Sequence, residues 1–144
     1  MEPRSITTID EIRDVRSAGP EMLEPVTLLP LFAYGPLEDE TFVGHLLERA
    51  VVSEPAVLPD FELIELVGLV SPIVVESPGQ EAEGRLYRHL TVDDYVRLDS
   101  YAGVMEGLYQ RITVEVVARK VASEEAPEDA FLYMPTDQIL KSYA

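Results

Sequence analysis

The stretch that most constrains the fold of this chain is Leu28–Leu37, an apolar run that ends abruptly in Tyr-Gly-Pro-Leu at residues 34–37. The run has the length of a buried strand, and Gly-Pro marks a sharp turn. A polar segment with helical spacing follows, so we predict a core strand, a turn at Gly35 and then a helix. The first N–H groups of a helix have no partner within it, so this junction could offer donors to a carboxylate or an oxyanion. On their own, the same four residues favour a plain turn between two core elements.

Three helices are predicted from their ends and their spacing, and the first is the one that follows the turn. Residues 38–50 place apolar side chains on one side, as an amphipathic helix does. A second helix begins at Thr91, whose hydroxyl and the Asp94 carboxylate form a capping box, and it stops at Gly103. A short terminal helix is predicted at residues 136–143. Asp99, within the second helix, is expected to bond nearby backbone and to have a structural role.

Most of the remaining chain has the short apolar or alternating pattern of strands. The predicted strands are Leu28–Tyr34, Pro72–Val75, Glu83–His89, Tyr109–Val121 and Phe131–Met134, and turns are predicted at Ser77–Gln80 and Glu124–Asp129. In the longest of these strands, alternate residues from Ile112 to Ala118 face one way. Five to seven strands joined by tight turns, with two or three helices, indicate an α+β fold.

A second conspicuous stretch is Leu98–Arg111, which has the sequence LDSYAGVMEGLYQR. It follows Gly84-Arg85-Leu86-Tyr87 and leads into the long alternating strand. The order Y-G-x-L, then G-x-L-Y, then L-D-x-x-x-G-V-x-x-G-x-Y-x-R resembles the γ-glutamyl cyclotransferase-like family, with candidate matches over residues 29–134. The resemblance implies a small, mixed, mostly antiparallel β-barrel flanked by helices.

This resemblance also implies a reaction and a site. Members of the family release an amine from a γ-glutamyl amide, because the substrate's own α-amine attacks the γ-carbonyl and forms 5-oxoproline. No cofactor or metal is implied. The residues implied to bind the substrate are Tyr34, Gly35, Pro36, Leu37 and Tyr109.

The chain departs from the family at the residue that matters most for catalysis. The family motif L-D-x-x-E-G has its acid/base glutamate where this chain has Ala102, which carries no proton-transfer group. Ala102 could be an engineered substitution that traps substrate, or the natural residue of a binding protein that has lost its chemistry. A third alternative is that Glu106 serves instead, although a solvated loop acid is the simpler interpretation of Glu106.

Composition limits the classes of partner. The formal net charge of −16 over 144 residues disfavours nucleic acid and anionic membrane surfaces, both of which select clustered Lys and Arg. There is no cysteine, and two isolated histidines, His45 and His89, rarely build a zinc site, so we expect no metal. The sequence shows no signal peptide and no apolar run that could span a bilayer, so a cytoplasmic location is expected.

Residues 1–27 are interpreted as an acidic N-terminal extension, and residues 28–144 as the γ-glutamyl cyclotransferase-like domain. The extension has the signals of a short helix that begins at Thr7 or Thr8 and stops at Gly19-Pro20. Its apolar side chains are Ile6, Ile9, Ile12 and Val15. They are expected to pack either on their own domain or on a second subunit of a homodimer.

Overall fold

The computed structural model describes residues 28–69, 71–119 and 126–143. Its strands are β1 (Leu31–Ala33), β2 (Ser53–Ile64), β3 (Ile73–Tyr87), β4 (Tyr109–Ala118) and β5 (Pro127–Pro135). Its helices are α1 (Glu40–Leu47), α2 (Val92–Ala102) and α3 (Asp137–Tyr143), and a 3₁₀ turn spans Gly35–Glu38.

The strands close into a barrel in the order β1-β3-β2-β4-β5. Neighbouring strands are antiparallel except where β5 meets β1, which it joins in parallel through Phe131 and Leu31. The predicted α+β barrel, mostly antiparallel and flanked by helices, is confirmed.

Apolar side chains pack on both faces of this barrel. Alternate residues of β4 from Ile112 to Ala118 contribute to the interior, as their spacing predicts, together with Phe32, Leu58 and Leu132. The outer face of β1 is covered by α1 and α2, so Leu31, Tyr87 and Leu98 form a second buried cluster there. Burying a side chain of this size stabilises a fold by about 1.5–3 kcal/mol. The second cluster therefore fixes α2 against the strand that leads into the Tyr34 turn.

Gly84 on β3 allows the backbone of β1 to approach very closely. A Cβ atom at this position would lie 2.3 Å from the carbonyl oxygen of Ala33 and 2.7 Å from Cζ of Phe32. Because atoms cannot approach so closely without displacement, this strand contact requires glycine. The Gly84-Arg85-Leu86-Tyr87 motif thus has a packing role, because its glycine lets β1 pack closely against β3.

Several predicted boundaries were wrong, and each error has a local cause. The first strand is shorter than Leu28–Tyr34, and a 3₁₀ turn separates it from α1, which begins at Glu40 and ends at Leu47. Helix α1 starts there because Asp39 caps it, accepting hydrogen bonds from the backbone N–H groups of Thr41 and Phe42. It ends where Glu48 adopts the left-handed conformation, with φ 60°.

The predicted turn at Ser77–Gln80 lies inside β3 instead. Pro59 pairs with Glu81 and Phe61 pairs with Glu76, so residues 77–80 bulge opposite Asp60. The Gly79 N–H donates to the Asp60 carboxylate over 3.0 Å. A bulge accommodates the same Pro-Gly conformations as a turn without ending the strand.

The predicted acidic turn at Glu124–Asp129 was also wrong in part, because residues 127–129 belong to β5. Residues 120–125 are outside the described part of the chain, and so are residues 1–27, on which the predicted leader helix falls. In the ranges that are described, no helix is both long and apolar enough to cross a membrane.

Candidate functional site

The Tyr34 turn and the end of α2 meet at one cavity of about 270 Å³. The 3₁₀ turn, the chain before β3, the last turn of α2 and the start of β4 all contribute side chains to it. The lining residues are Phe32, Tyr34, Pro36, Leu37, Ser71, Pro72, Tyr101, Ala102, Leu108, Tyr109 and Tyr133.

Most of the residues proposed from the sequence lie together in this cavity. Tyr34, Pro36, Leu37, Ala102 and Tyr109 line it. Two do not. Gly35 makes the turn with φ 64°, a conformation that favours glycine, and Glu106 is exposed in the loop after α2. Glu106 is not among the described residues that line the cavity, which counts against its proposed role as a substitute base.

The phenol of Tyr34 links two parts of the cavity wall, the turn at residues 34–37 and strand β5. It is buried, and its hydroxyl donates to the backbone carbonyl of Tyr133 over 2.6 Å. Burial raises the pKa of Tyr34 well above its usual value, with a smaller contribution from Tyr109. The phenol therefore stays neutral and is engaged with the backbone of β5, so it cannot readily accept a proton from a ligand.

Asp99, one turn before Ala102 on α2, has both carboxylate oxygens engaged by neighbouring side chains. It accepts a hydrogen bond from the Tyr133 hydroxyl over 2.5 Å and pairs with Nε of Arg111 at 3.1 Å. Arg111 in turn stacks on the rings of Tyr95 and Phe131, each 4.6 Å from the guanidinium carbon. Asp99 thus has the predicted structural role. Its carboxylate contacts the side chains of Tyr133 and Arg111, however, whereas contacts with nearby backbone were expected.

Ala102 occupies the end of α2 because the helix has well-defined caps at both ends. The capping box of Thr91 and Asp94 forms as the sequence predicts. At the other end Gly103 adopts φ 70° and its N–H bonds back to the carbonyls of Asp99 and Ser100. The helix therefore presents residue 102 to the cavity, half-buried beside Tyr101.

The loop from Gly103 to Leu108, which contributes Leu108 to the cavity lining, is held by hydrogen bonds. The Leu108 N–H donates to the carbonyl of Gly103 over 3.0 Å, and the Thr136 N–H donates to the carbonyl of Leu108 over 3.0 Å. A Cβ atom on Gly103 would lie 2.8 Å from a methyl group of Leu108. Gly103 is thus favoured by its backbone conformation, and a larger residue there would also have to displace the Leu108 side chain.

The cavity offers little charge to a ligand. Within the described residues that line it, the ionisable groups are tyrosines, and no Asp, Glu, His, Lys or Arg is present. Nor do three or more acidic or histidine side chains converge anywhere in the described ranges to hold a metal ion. The arrangement can accommodate an organic group of moderate size and orient it, but its described lining supplies no carboxylate for proton transfer.

Six lining residues were not predicted from the sequence: Phe32, Ser71, Pro72, Tyr101, Leu108 and Tyr133. Tyr101 and Leu108 flank the motif at Ala102 and could have been found from that proximity. Ser71, Pro72 and Tyr133 come from distant parts of the chain, and no local pattern marks them.

Comparison with known proteins places this chain in a family. The family model described as gamma-glutamyl cyclotransferase, AIG2-like, matches residues 31–143. The chain belongs to this family. Family membership covers both the Tyr34 turn and the Ala102 helix end, so the two halves of the cavity come from one matched unit.

Relatives and solved structures agree with this assignment. AIG2-like protein A from Arabidopsis thaliana is 29% identical over 104 residues, which is 72% of this chain and 61% of the relative. AIG2-like protein D, also from Arabidopsis thaliana, is 27% identical over 112 residues, or 78% of this chain and 72% of the relative. The chain thus spans less than two thirds of the length of the first of these relatives.

Among structures, a solution structure of an Arabidopsis thaliana protein is 27% identical and superposes with a TM-score of 0.65 over 78% of this chain and 71% of the other. A structure named gamma-glutamyl cyclotransferase superposes with a TM-score of 0.63 at 24% identity, over 75% of this chain and 66% of the other. At that identity the second likeness shows the fold alone.

Proposed function

We propose that this protein binds a γ-glutamyl amide, or a closely similar acyl amide, in the cavity between the Tyr34 turn and the end of α2. The observation that carries the proposal is that the turn and residue 102, which the family resemblance assigns to substrate and to catalysis, line one cavity. The native activity would be cyclisation of that ligand with release of its amine.

The reaction has simple requirements. The ligand's α-amine forms a C–N bond to its own γ-carbonyl carbon, the bond to the leaving amine breaks, and 5-oxoproline and a free amine result. A base must take the proton from the attacking amine, and an acid must give one to the leaving amine. The same carboxyl group can do both in turn, since the proton count is unchanged at the end.

In this chain, position 102 cannot supply that group. Ala102 has no ionisable atom, Asp99 is paired with Arg111 and Tyr133, and Glu106 is exposed outside the lining. Losing a general acid/base lowers the rate by about 100- to 10,000-fold. Pro36 has no N–H, so the turn also has one donor fewer for a developing oxyanion than it would with another residue there.

These features favour a specific second candidate, a small-molecule binding protein without chemistry on the same fold. The absence of a carboxylate from the described lining supports it, whereas the presence of a cavity of this size supports ligand binding in both cases. The two candidates differ in what a restored carboxylate would do.

The experiment is to compare the chain with Ala102→Glu and with Ala102→Gln. Glutamine has nearly the shape of glutamate but cannot take a proton, so it is a matched control. Each protein is assayed for 5-oxoproline release from γ-glutamyl dipeptides, alkylamides and polyamine amides, and binding of the same compounds is measured by calorimetry. We expect Ala102→Glu to exceed both other proteins by at least about 100-fold.

The remaining outcomes separate the two candidates. Binding by all three proteins without a gain from glutamate would end the cyclisation proposal and leave the binding protein. No binding of any compound by any of the three would overturn both.

A further inference from the structure

A second hollow, of about 100 Å³, lies between α2 and β4, away from the cavity. Its lining residues are Leu28, Val92, Tyr95, Val96, Asp99 and Arg111, and we call it the α2 groove. Two of its valines point into solvent: Val92 is 63% and Val96 59% exposed. The two valines lie one helical turn apart, on the same face of α2.

The floor of the α2 groove is fixed by contacts already in place. The Tyr95 hydroxyl donates to the carbonyl of Leu29 over 2.7 Å, and the Arg111 guanidinium lies over the Tyr95 ring. The Asp99 carboxylate forms an ion pair with the same guanidinium, 3.1 Å from its Nε. The groove therefore has a defined shape before any partner arrives, and binding there would not require it to be formed.

The same contacts determine where the chain enters the described structure. Because Tyr95 binds the backbone of Leu29, and Leu28 itself lines the α2 groove, residues 1–27 join the domain at one end of this groove. The predicted leader helix in that segment carries the apolar side chains Ile6, Ile9, Ile12 and Val15.

We propose that residues 1–27 of the same chain cover the α2 groove, with isoleucines of the predicted leader helix against Val92 and Val96. The reach is sufficient, because the residues between Ala18 and Leu28 can span up to about 33 Å when extended. The size fits as well: the groove is smaller than the roughly 150 Å³ cavity that holds benzene and larger than the roughly 30 Å³ of one water, so it suits a branched aliphatic side chain.

Charge is compatible with this arrangement. Arg13 and Arg16 directly follow Ile12 and Val15 in the sequence, and the exposed Asp93 lies on α2 beside Val92. An arginine at the edge of the covered surface could pair with Asp93 while the apolar side chains face the valines. Such an exposed pair contributes little energy, about 0.2–1 kcal/mol, but it favours one orientation.

The test uses the absence of cysteine from the natural chain, which lets a single pair of introduced thiols report proximity. Full-length proteins carrying Val96→Cys together with Ile9→Cys, Ile12→Cys or Val15→Cys are oxidised at low concentration. The matched control replaces Val96→Cys by Val67→Cys, because Val67 is an exposed valine, at 94%, that does not line the α2 groove. Disulfide formation is followed by mass spectrometry and by non-reducing electrophoresis.

We expect at least one Val96 pair to form an intramolecular disulfide at least about tenfold faster than its Val67 control, because docking raises the effective concentration of the thiols. Equal rates for the two positions would overturn the proposal, since they would mean that the leader meets both sites only by chance. Predominantly intermolecular disulfides would also overturn it, and would indicate that a second copy covers the groove in a homodimer. Both substituted valines are exposed, so the variants are expected to fold.

Discussion

Tyr34 is a residue whose backbone turn shapes the candidate site and whose side chain stabilises the barrel. We predict that Tyr34→Phe lowers the free energy of unfolding by about 1–3 kcal/mol, because the buried carbonyl of Tyr133 then loses its donor. Tyr101→Phe is the matched control: it also lines the cavity, but its side chain is 46% exposed, and a change within about 0.5 kcal/mol is expected. Urea denaturation measures both. Equal losses would show that the hydrogen bond adds nothing.

Tyr87 gives the fold a sensitivity to alkaline pH. Its hydroxyl donates to the carbonyl of Leu37 over 2.8 Å, and burial raises the pKa of Tyr87 to about 12. In the unfolded chain a tyrosine ionises near pH 10. The stability that comes from keeping this phenol neutral is therefore fully present below about pH 10 and is lost as the pH rises toward 12.

We predict that Tyr87→Phe reduces this alkaline loss. The free energy of unfolding is measured with urea at pH 8, 10 and 11 for both proteins. The variant should be less stable at pH 8 because it lacks the hydrogen bond, yet its stability should fall less steeply above pH 10. Burial raises the pKa of Tyr34, Tyr95 and Tyr133 in the same direction, so some fall remains in the variant. Parallel curves would contradict the assignment to Tyr87.

Helices α1 and α2 are joined by an ion pair that also belongs to the α2 cap. Asp94 is buried, its carboxylate pairs with Arg49 just after α1, and it accepts from the Thr91 N–H over 2.9 Å. Burial alone would raise the pKa of Asp94, but the hydrogen bonds from Arg49 and Thr91 outweigh it and leave the pKa below its usual value. Stability from this carboxylate is thus present above about pH 4 and lost as the pH falls through the lowered pKa.

We predict that Asp94→Asn destabilises the protein by about 1–3 kcal/mol at pH 7 and by progressively less from pH 4 downward. Asp93→Asn is the control, because Asp93 is an exposed neighbour in the same helical turn with no part in this pair. Thermal unfolding at pH 7, 4 and 3 checks both variants. A difference that stays constant over this range would mean that the ionised carboxylate is not what stabilises the helix pair.

The elements that could be predicted from the sequence are those whose causes are local. Thr91, Asp94 and Gly103 specify both ends of α2 within a short span, so that helix and the placement of Ala102 at its exit followed directly. The bulge at residues 77–80 could not be predicted, because Pro78-Gly79 looks the same in a turn, and the Asp60 that receives the Gly79 N–H lies in another strand.

The candidate site divides in the same way. Tyr34 and Ala102 carry sequence motifs and were proposed from them. Tyr133 and Pro72 line the cavity only because the barrel closes through β5 and β3, and they lie far in sequence from the Tyr34 turn. Pairings of this kind depend on strand order and register, which no short pattern specifies.

The molecule as a whole carries a formal net charge of −16, and this charge opposes its compaction. Added salt shortens the distance over which charges interact from about 30 Å at 0.01 M to about 3 Å at 1 M. Repulsion between exposed carboxylates is therefore screened, whereas close pairs such as Arg88 with Glu54 and Glu128 are affected much less. The balance favours the folded state as salt is added.

We accordingly predict that the melting temperature rises by several degrees between 0.01 M and 0.5 M NaCl, since about 1 kcal/mol corresponds to roughly 2–4 °C in a domain of this size. The matched variant is Glu65→Gln with Glu106→Gln, which removes two exposed carboxylates and should raise the melting temperature at 0.01 M but not at 0.5 M. Both are measured by differential scanning calorimetry at pH 7. A melting temperature independent of NaCl, or an equal gain for the variant at both concentrations, would show that net repulsion does not limit the stability of this barrel.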